Sequence, residues 1–230
     1  STALERLERM WSYQMLFEAT LGGRPAIISD HEDSCVAKNI QHDIDRGKFD
    51  FKKYNERVTF IDIGACLGMV SMHVARRERS TSIIAIEPHP ENYKHMLMNL
   101  YDNNEYALTL PFAIGPEFDR SVIVRNNSNT GGATMNSKFC KKSDKRRPQS
   151  TVVVVPLNLI FEEFVPEHEN AIVKMDIEGS EHTAFDTFEY WDRIVCLHLE
   201  CHMNDNLRNK GFSSDRLLDF VTSKFSGELH

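Results

Sequence analysis

The chain has 230 residues, 41% of them hydrophobic and 27% charged, with a formal net charge of −7. That size suits one large domain, the acidic balance argues against nucleic-acid binding over the whole surface, and no run approaches the ~18–20 apolar residues of a membrane span. Five scattered cysteines, Cys35, Cys66, Cys140, Cys196 and Cys201, form no C-x-x-C pair, which fits free thiols in a reducing compartment and a cytoplasmic protein.

The first stretch mixes charged and apolar residues and is no secretory h-region. Leu4, Leu7, Trp11 and Met15 recur at spacings of three and four, which predicts an amphipathic helix over 4–21, stopped by Gly22-Gly23. A short extended piece, Ala26–Ser29, and a helix over Ser34–Arg46 ended by Gly47 complete a helical leader, 1–55, packed on the core. Nothing in this leader specifies chemistry; it covers an edge of the fold or shapes a substrate mouth.

The chain is organised around Val58–Val70, V-T-F-I-D-I-G-A-C-L-G-M-V. An apolar strand reaches Asp62, turns on Gly64 and Gly68, and enters a helix over Met69–Arg77. Such a turn brings backbone N–H groups and a positive helix end close to a charged, ribose-bearing ligand. Ser82–Ile86 is the second strand, ending at Glu87-Pro88, and Pro90 opens the next helix. Leu108–Leu110 and Phe112–Ile114 form a third strand region, and Ser121–Val124 alternates like a strand. Asn126–Thr134 is too polar and glycine-rich for regular structure. Lys138–Arg147 holds six basic residues and one acid; it reads as a solvated loop, with phosphate or acidic-partner contact as the alternative.

Thr151–Val155 is a β-branched strand and Leu157–Phe164 a helix. Ala171–Ile177 runs into Glu178-Gly179-Ser180-Glu181 and a helix carrying Phe185 and Phe188; Arg193–Leu199 runs into Glu200-Cys201-His202. Strands and helices alternate from Val58 onward, which predicts an open, largely parallel α/β sheet with ligands at the carboxyl ends of its strands.

Four polar clusters lie at that edge. Asp62 either contacts a cationic ligand end or caps the turn. Glu87 is placed to accept both hydroxyls of a ribose. The sequence G-A-C-L-G lacks the G-x-G-x-x-G that accommodates a dinucleotide pyrophosphate, so a nicotinamide cofactor is disfavoured and S-adenosylmethionine fits better. Lys174, Asp176 and Glu178 share one parity and form either an ion-pair network or a polarised pocket in which a hydroxyl loses its proton. Glu200 and His202 are placed to act there too, His202 as a base oriented by Glu200 or as a structural histidine. Zinc on Cys196, His198 and His202 is disfavoured because same-strand ligands rarely converge.

These clusters, F-I-D-I-G-A-C-L-G, I-A-I-E-P-H-P-E-N-Y with N-L-Y-D-N-N behind it, V-K-M-D-I-E-G-S-E and L-E-C-H, resemble the FkbM-type family of S-adenosylmethionine-dependent methyltransferases from about Val58 to His202. The resemblance implies a Rossmann-like class I methyltransferase domain over 56–230, a sheet of seven strands with the last antiparallel, and transfer to a hydroxyl of a small molecule, sugar or glycan. It places Asp62, Gly64, Ala65 and Gly68 at the methionine end, Glu87 at the ribose, Pro88 and His89 near the adenine with Phe112 and Ala113 opposite, and Asn129–Ala133 over cofactor or acceptor. Cys66 stands where an asparagine is usual, and Lys138–Arg147 looks like an insertion. Asp176 or His202 takes the acceptor proton, with Lys174, Glu178 and Glu200 around them. No metal site is predicted; a divalent ion on Asp176, Glu178, Glu200 or His202 is the alternative way to acidify the hydroxyl. The rival functions are RNA ribose 2′-O-methylation, with the Lys138–Arg147 run on nucleic acid, and a non-catalytic nucleotide-binding module.

Overall fold

In the computed structural model the described residues are 14–31, 34–51, 54, 56–79, 81–124, 135, 149–203 and 205–230. The expected helix over 4–13, the Asn129–Ala133 cover and the Lys138–Arg147 run lie outside them.

The predicted helix over 14–21 is instead a strand, β1 (Gln14–Leu21), paired antiparallel with β2 (Arg24–His31). Gly22 and Gly23 both have positive φ, 55° and 75°, the pattern of a two-residue turn whose twist matches that of the flanking strands. The chain therefore folds back where a helix was expected to stop. Ala19, Leu21, Ala26 and Ile28 face inward at period two, although the sparse apolar residues of this stretch also fit a period near 3.6.

Helix α1 (Val36–Asp45) follows, then the central unit β3 (Val58–Ile63) and α2 (Met69–Arg77). All six residues of β3 are buried, as befits a central parallel strand covered on both faces. Val58 and Phe60 join a core with the hairpin and the first helices, whereas Ile61 and Ile63 join a second core on the opposite face. β4 (Ser82–Ile86), α3 (Pro90–Asp102) and the short β5 (Leu108–Leu110) extend the sheet to one edge.

Pro111 then separates β5 from β6 (Phe112–Gly115), so the third strand region is two strands in two sheets. Having no N–H, proline cannot continue a ladder. β6 pairs parallel with β8 (Gln149–Pro156), which pairs antiparallel with β7 (Asp119–Val124), forming a separate three-stranded sheet. After α4 (Leu157–Phe164), β9 (Asn170–Met175) returns beside β3.

The helix expected to carry Phe185 and Phe188 is one turn, α5 (Glu181–Ala184). Both rings pack in turn structure against Trp191. β10 (Ile194–Leu199), α6 (Asp205–Asn209), α7 (Ser214–Lys224) and the two-residue β11 (Glu228–Leu229) end the chain. The main sheet runs β11-β10-β9-β3-β4-β5, every pair parallel. Among the described residues it has six strands, and the last is parallel, not the seven with an antiparallel end strand that the family resemblance implies.

Two asparagines one turn apart, Asn99 on α3 and Asn103 just past its end, attach the hairpin to that helix. Asn99 accepts from the Ser29 N–H at 2.7 Å and donates to the Ser29 carbonyl at 3.1 Å. Asn103 does the same to Ile27, at 3.3 and 2.8 Å. Side-chain amides thus satisfy the β2 edge, which would otherwise be open to another strand.

Arg76 adds a buried tie: its Nε donates to Glu105 Oε1 at 2.8 Å, with both side chains 5% exposed, and its Nη1 reaches the Pro25 carbonyl at 3.1 Å. Truncating one member of such a pair leaves an uncompensated charge. Arg76→Ala is expected to cost about 3 kcal/mol in urea unfolding, and Arg76→Met/Glu105→Leu should recover most of it. A loss under about 1 kcal/mol in the single variant, the range of exposed pairs, would show that the pair is not a structural tie.

Candidate active site

A cavity opens where β3, β4 and β9 end. One wall is the glycine turn with Glu87, Pro88, Phe112, Ala113 and Ile114; the other holds Lys174, Asp176, Glu178 and Glu200. α1 and the segment after it close the mouth through Asn39, Asp43, Lys48 and Phe49.

The turn departs from expectation in how its N–H groups are used. Gly64 and Ala65 both donate to the Ile86 carbonyl at 2.9 Å, Cys66 N–H donates to Glu87 Oε2 at 2.9 Å, and Gly68 N–H returns to the Ala65 carbonyl at 2.8 Å. These four donors are spent inside the fold, so the turn offers shape and close approach rather than free N–H groups. Gly64 has φ +79°, and a Cβ there would land on the Asp176 carbonyl oxygen. Gly68 has φ +75°, but a Cβ would meet only Met96 Cγ, at 2.9 Å, the flexible part of a side chain. Gly68 packs against α3 and does not line the cavity.

Glu87 is buried and on the cavity wall. Oε1 accepts from His89 N–H at 2.8 Å and Oε2 from Cys66 N–H at 2.9 Å. Each oxygen keeps a lone pair, the pair of acceptors that the two hydroxyls of a cis-diol require. Burial outweighs those two hydrogen bonds and lifts its carboxyl to about 7. His89 is itself buried beside the turn and does not line the cavity.

Asp62 is not a cavity residue either. Its side chain is fully buried, accepting from Ser71 Oγ at 2.7 Å and pairing with Lys174 Nζ at 3.1 Å. The register places the two residues opposite each other, Asp62 on β3 and Lys174 on β9. Lys174 also donates to the Gly64 carbonyl at 2.8 Å and lies 3.9 Å from Asp176. Burial works against its charge, but the Asp62 and Asp176 carboxylates outweigh it and hold the ammonium above its ordinary range.

Beyond Lys174 the acids converge on one imidazole. His202 Nδ1 bonds Glu181 Oε1 at 2.9 Å, while Nε2 lies 3.8 Å from Asp176, 3.7 Å from Glu178 and 3.8 Å from Glu200. Burial lowers its affinity for a proton, yet the Glu181 hydrogen bond and the surrounding carboxylates raise it to about 9. His202 is a cation at neutral pH. Burial raises both carboxyls on the cavity side, Glu178 to about 7 and Asp176 above its ordinary value, with His202 and Lys174 only partly opposing. Glu200 moves the other way: burial is overcome by Lys48, whose Nζ bonds Oε2 at 2.9 Å. Glu178 takes φ +54° ahead of Gly179 at +100°, a tight reversal in which Glu181 accepts from the Ile177 and Gly179 N–H groups.

The structure thus brings Gly64, Ala65, Glu87, Pro88, Phe112, Ala113, Lys174, Asp176, Glu178 and Glu200 to one cavity, with Asp62, Gly68, His89 and His202 behind it. The sequence already groups Glu181 with Lys174, Asp176 and Glu178 as an acid suited to the start of the next helix, and the structure sets it behind His202. Sequence reasoning missed Lys48 and Asp43, for which the residues around Gly47 carry no local signal.

The methyltransferase FkbM domain matches residues 62–224, more than two thirds of the chain, spanning every one of the strand ends just described from Asp62 onward. The chain belongs to the FkbM methyltransferase family. No curated protein and no solved structure gives a significant match. Within this family member the four described cysteines Cys35, Cys66, Cys196 and Cys201 are free, and no helix among the described residues is long and apolar enough to cross a membrane.

The two glycines separate shape from packing. Gly64→Ala should cost clearly more stability than Gly68→Ala, because a backbone carbonyl cannot yield as a methionine can, and both should destabilise at their positive φ, where an unstrained exchange would stabilise by ~0.4–1 kcal/mol. Thermal unfolding of both variants checks the order; equal losses would mean that the Asp176 segment moves freely against the turn.

Proposed function

We propose that this family member transfers a methyl group from S-adenosylmethionine to a hydroxyl oxygen of a small molecule, sugar or glycan. The observation that carries the reading is a single cavity with two unlike walls: a diol-accepting carboxylate among apolar surfaces, facing a cluster of raised carboxyls. The residues present fit the donor. Glu87 would hold the ribose hydroxyls, Pro88, Phe112 and Ala113 would flank the adenine, and Gly64 and Ala65 would let the methionine portion lie against backbone. Bound S-adenosylmethionine supplies an electrophilic methyl group on a sulfonium.

The chain's own contribution is to position the acceptor and take its proton. Orientation supplies about 7–11 kcal/mol, and a general base about 10²–10⁴-fold, so positioning is the larger share. Asp176 and Glu178 are the bases in this reading, since burial has brought both toward the working pH. His202 is not the base, because its imidazole already holds a proton at neutrality. Lys174 and Asp62 are positioning residues that fix Asp176 relative to the turn.

Asp176→Asn should lower kcat by at least 10²-fold while S-adenosylhomocysteine still binds in calorimetry; loss of binding instead would move Asp176 to the donor site. A panel of sugars, other hydroxyl compounds and capped RNA identifies the acceptor, and salt-sensitive transfer to RNA alone would replace this reading with ribose methylation.

Glu87 gives a pH test. Its ionised form accepts the ribose hydroxyls, so with the carboxyl raised to about 7 Glu87 takes up a proton as pH falls below that value, and binding must then expel it. Affinity for S-adenosylhomocysteine should drop below pH 7 toward tenfold per unit, and Glu87→Gln should weaken binding and flatten the profile. A wild-type profile flat from pH 5.5 to 8 would remove Glu87 from the ribose.

A further inference from the structure

The geometry points to a divalent-cation site formed by Asp176, Glu200 and His202 at the acceptor end of the cavity. This inference rests on the methyl-transfer reading only for its use, not for its donor atoms. A carboxylate oxygen from Asp176, another from Glu200 and a ring nitrogen of His202 lie within 4.8 Å of one another.

Each ligand is held from behind by a partner that leaves one donor atom facing the shared centre. Glu200 gives Oε2 to Lys48 at 2.9 Å and turns Oε1 toward His202 at 3.8 Å. Asp176 turns Oδ2 toward Lys174 at 3.9 Å and Oδ1 toward His202 at 3.8 Å. His202 gives Nδ1 to the fully buried Glu181 at 2.9 Å, which directs Nε2 into the group, where the ion would take the place of the Nε2 proton and release it to solvent. A carboxylate behind a ligating imidazole is the common support of a metal-bound histidine.

The spacing supports an ion rather than direct bonds. Separations of 3.7–3.8 Å from Nε2 to three carboxylates are too long for hydrogen bonds. Bonds of about 2.1–2.2 Å at right angles, the six-coordinate arrangement, put neighbouring donors about 3 Å apart, so the imidazole and each carboxylate would approach by about 0.7 Å to share an ion. A second mixed group, Cys196–Glu228–His230, also meets the distance limit. There His230 Nε2 and Glu228 Oε1 already bond at 3.1 Å, and no comparable gap is left.

The donor set selects the ion. An imidazole with carboxylates suits a first-row divalent cation such as Mn²⁺ better than Ca²⁺ or Mg²⁺, which favour all-oxygen shells. Asp176 and Glu200 line the cavity, so remaining coordination positions would face the acceptor. In that use the ion acidifies the acceptor hydroxyl, and Glu178, outside the three-residue set, is left to take its proton.

The test uses the full chain with Mn²⁺ alone, without nucleoside or acceptor, and follows loss of the free-ion electron paramagnetic resonance signal. One Mn²⁺ should bind per chain below about 100 μM, with nitrogen hyperfine coupling from the imidazole. His202→Gln should abolish that coupling, and both His202→Gln and Glu200→Gln should weaken binding at least tenfold while leaving S-adenosylhomocysteine calorimetry unchanged. Absence of binding at 1 mM, or binding that ignores both substitutions, overturns the site. The two readings fail separately: Mn²⁺ bound without nucleoside binding sinks the methyl-transfer reading alone, and nucleoside bound without Mn²⁺ sinks the cation site alone.

Discussion

One buried ammonium fixes the geometry of the cavity. Lys174 Nζ sits between the Gly64 carbonyl at 2.8 Å and the Asp62 carboxylate at 3.1 Å, with both side chains almost fully excluded from water. Neither charge would be tolerated there alone, because several kcal/mol of hydration are lost per ion. Together they join the middle strand β3 (Val58–Ile63) to its neighbour β9 (Asn170–Met175) at the point where both end. The glycine turn belongs to the first and Asp176 to the second, so the two halves of the cavity keep their spacing through this one side chain. The close approach at Gly64, where no Cβ fits against the Asp176 carbonyl, is the steric counterpart of the same contact.

The sequence was most informative where cause and effect are local. An apolar run, two glycines and a helix-compatible segment are neighbours in the chain, and they fold as β3, turn and α2 (Met69–Arg77) within the limits expected. The sequence is silent where a residue's setting depends on a distant partner. Asp62 looks like a ligand-facing acid because it ends a strand, and only the register against Lys174, 112 positions later, shows that it faces an internal cation. His202 looks like a base because free imidazole titrates near neutrality; the Glu181 carboxylate, folded against its Nδ1, raises its affinity for a proton. Lys48 acquires its role through Glu200, 152 residues away, and no local pattern could have announced that. The 14–21 strand was missed for a different reason. Its apolar residues fit two periods, and a Gly-Gly pair suits a helix stop as well as the reversal that its two positive φ values make.

The hairpin and the α1 (Val36–Asp45) segment show how an ordinary α/β core acquires its own mouth. The sheet edge and the strand-end carboxylates lie within the family match, whereas Asp43, Lys48 and Phe49 lie before it, at its N-terminal side. Asn99 and Asn103 clamp the hairpin to α3 (Pro90–Asp102), and α1 packs on the hairpin. The mouth is therefore set by side chains that the family pattern does not cover, and specificity for an acceptor is free to vary there while the strand-end groups stay in place.

Charge balance narrows what kind of acceptor suits that mouth in the proposed reaction. Around the far wall, among the described residues, Asp62, Asp176, Glu178, Glu181 and Glu200 face Lys48, Lys174 and His202 as their cations. Raised carboxyls at Asp176 and Glu178 are the electrostatic consequence, since burial and mutual repulsion both favour their neutral forms. Such a wall repels phosphate or carboxylate groups, and it favours a sulfonium, a divalent ion or a neutral polyol that can donate hydrogen bonds. An acceptor bearing its own negative charge would have to bring a cation with it or enter from the Lys48 side, where the surplus is least. A neutral hydroxyl compound meets neither obstacle, and its proton has two nearby carboxylates able to receive it.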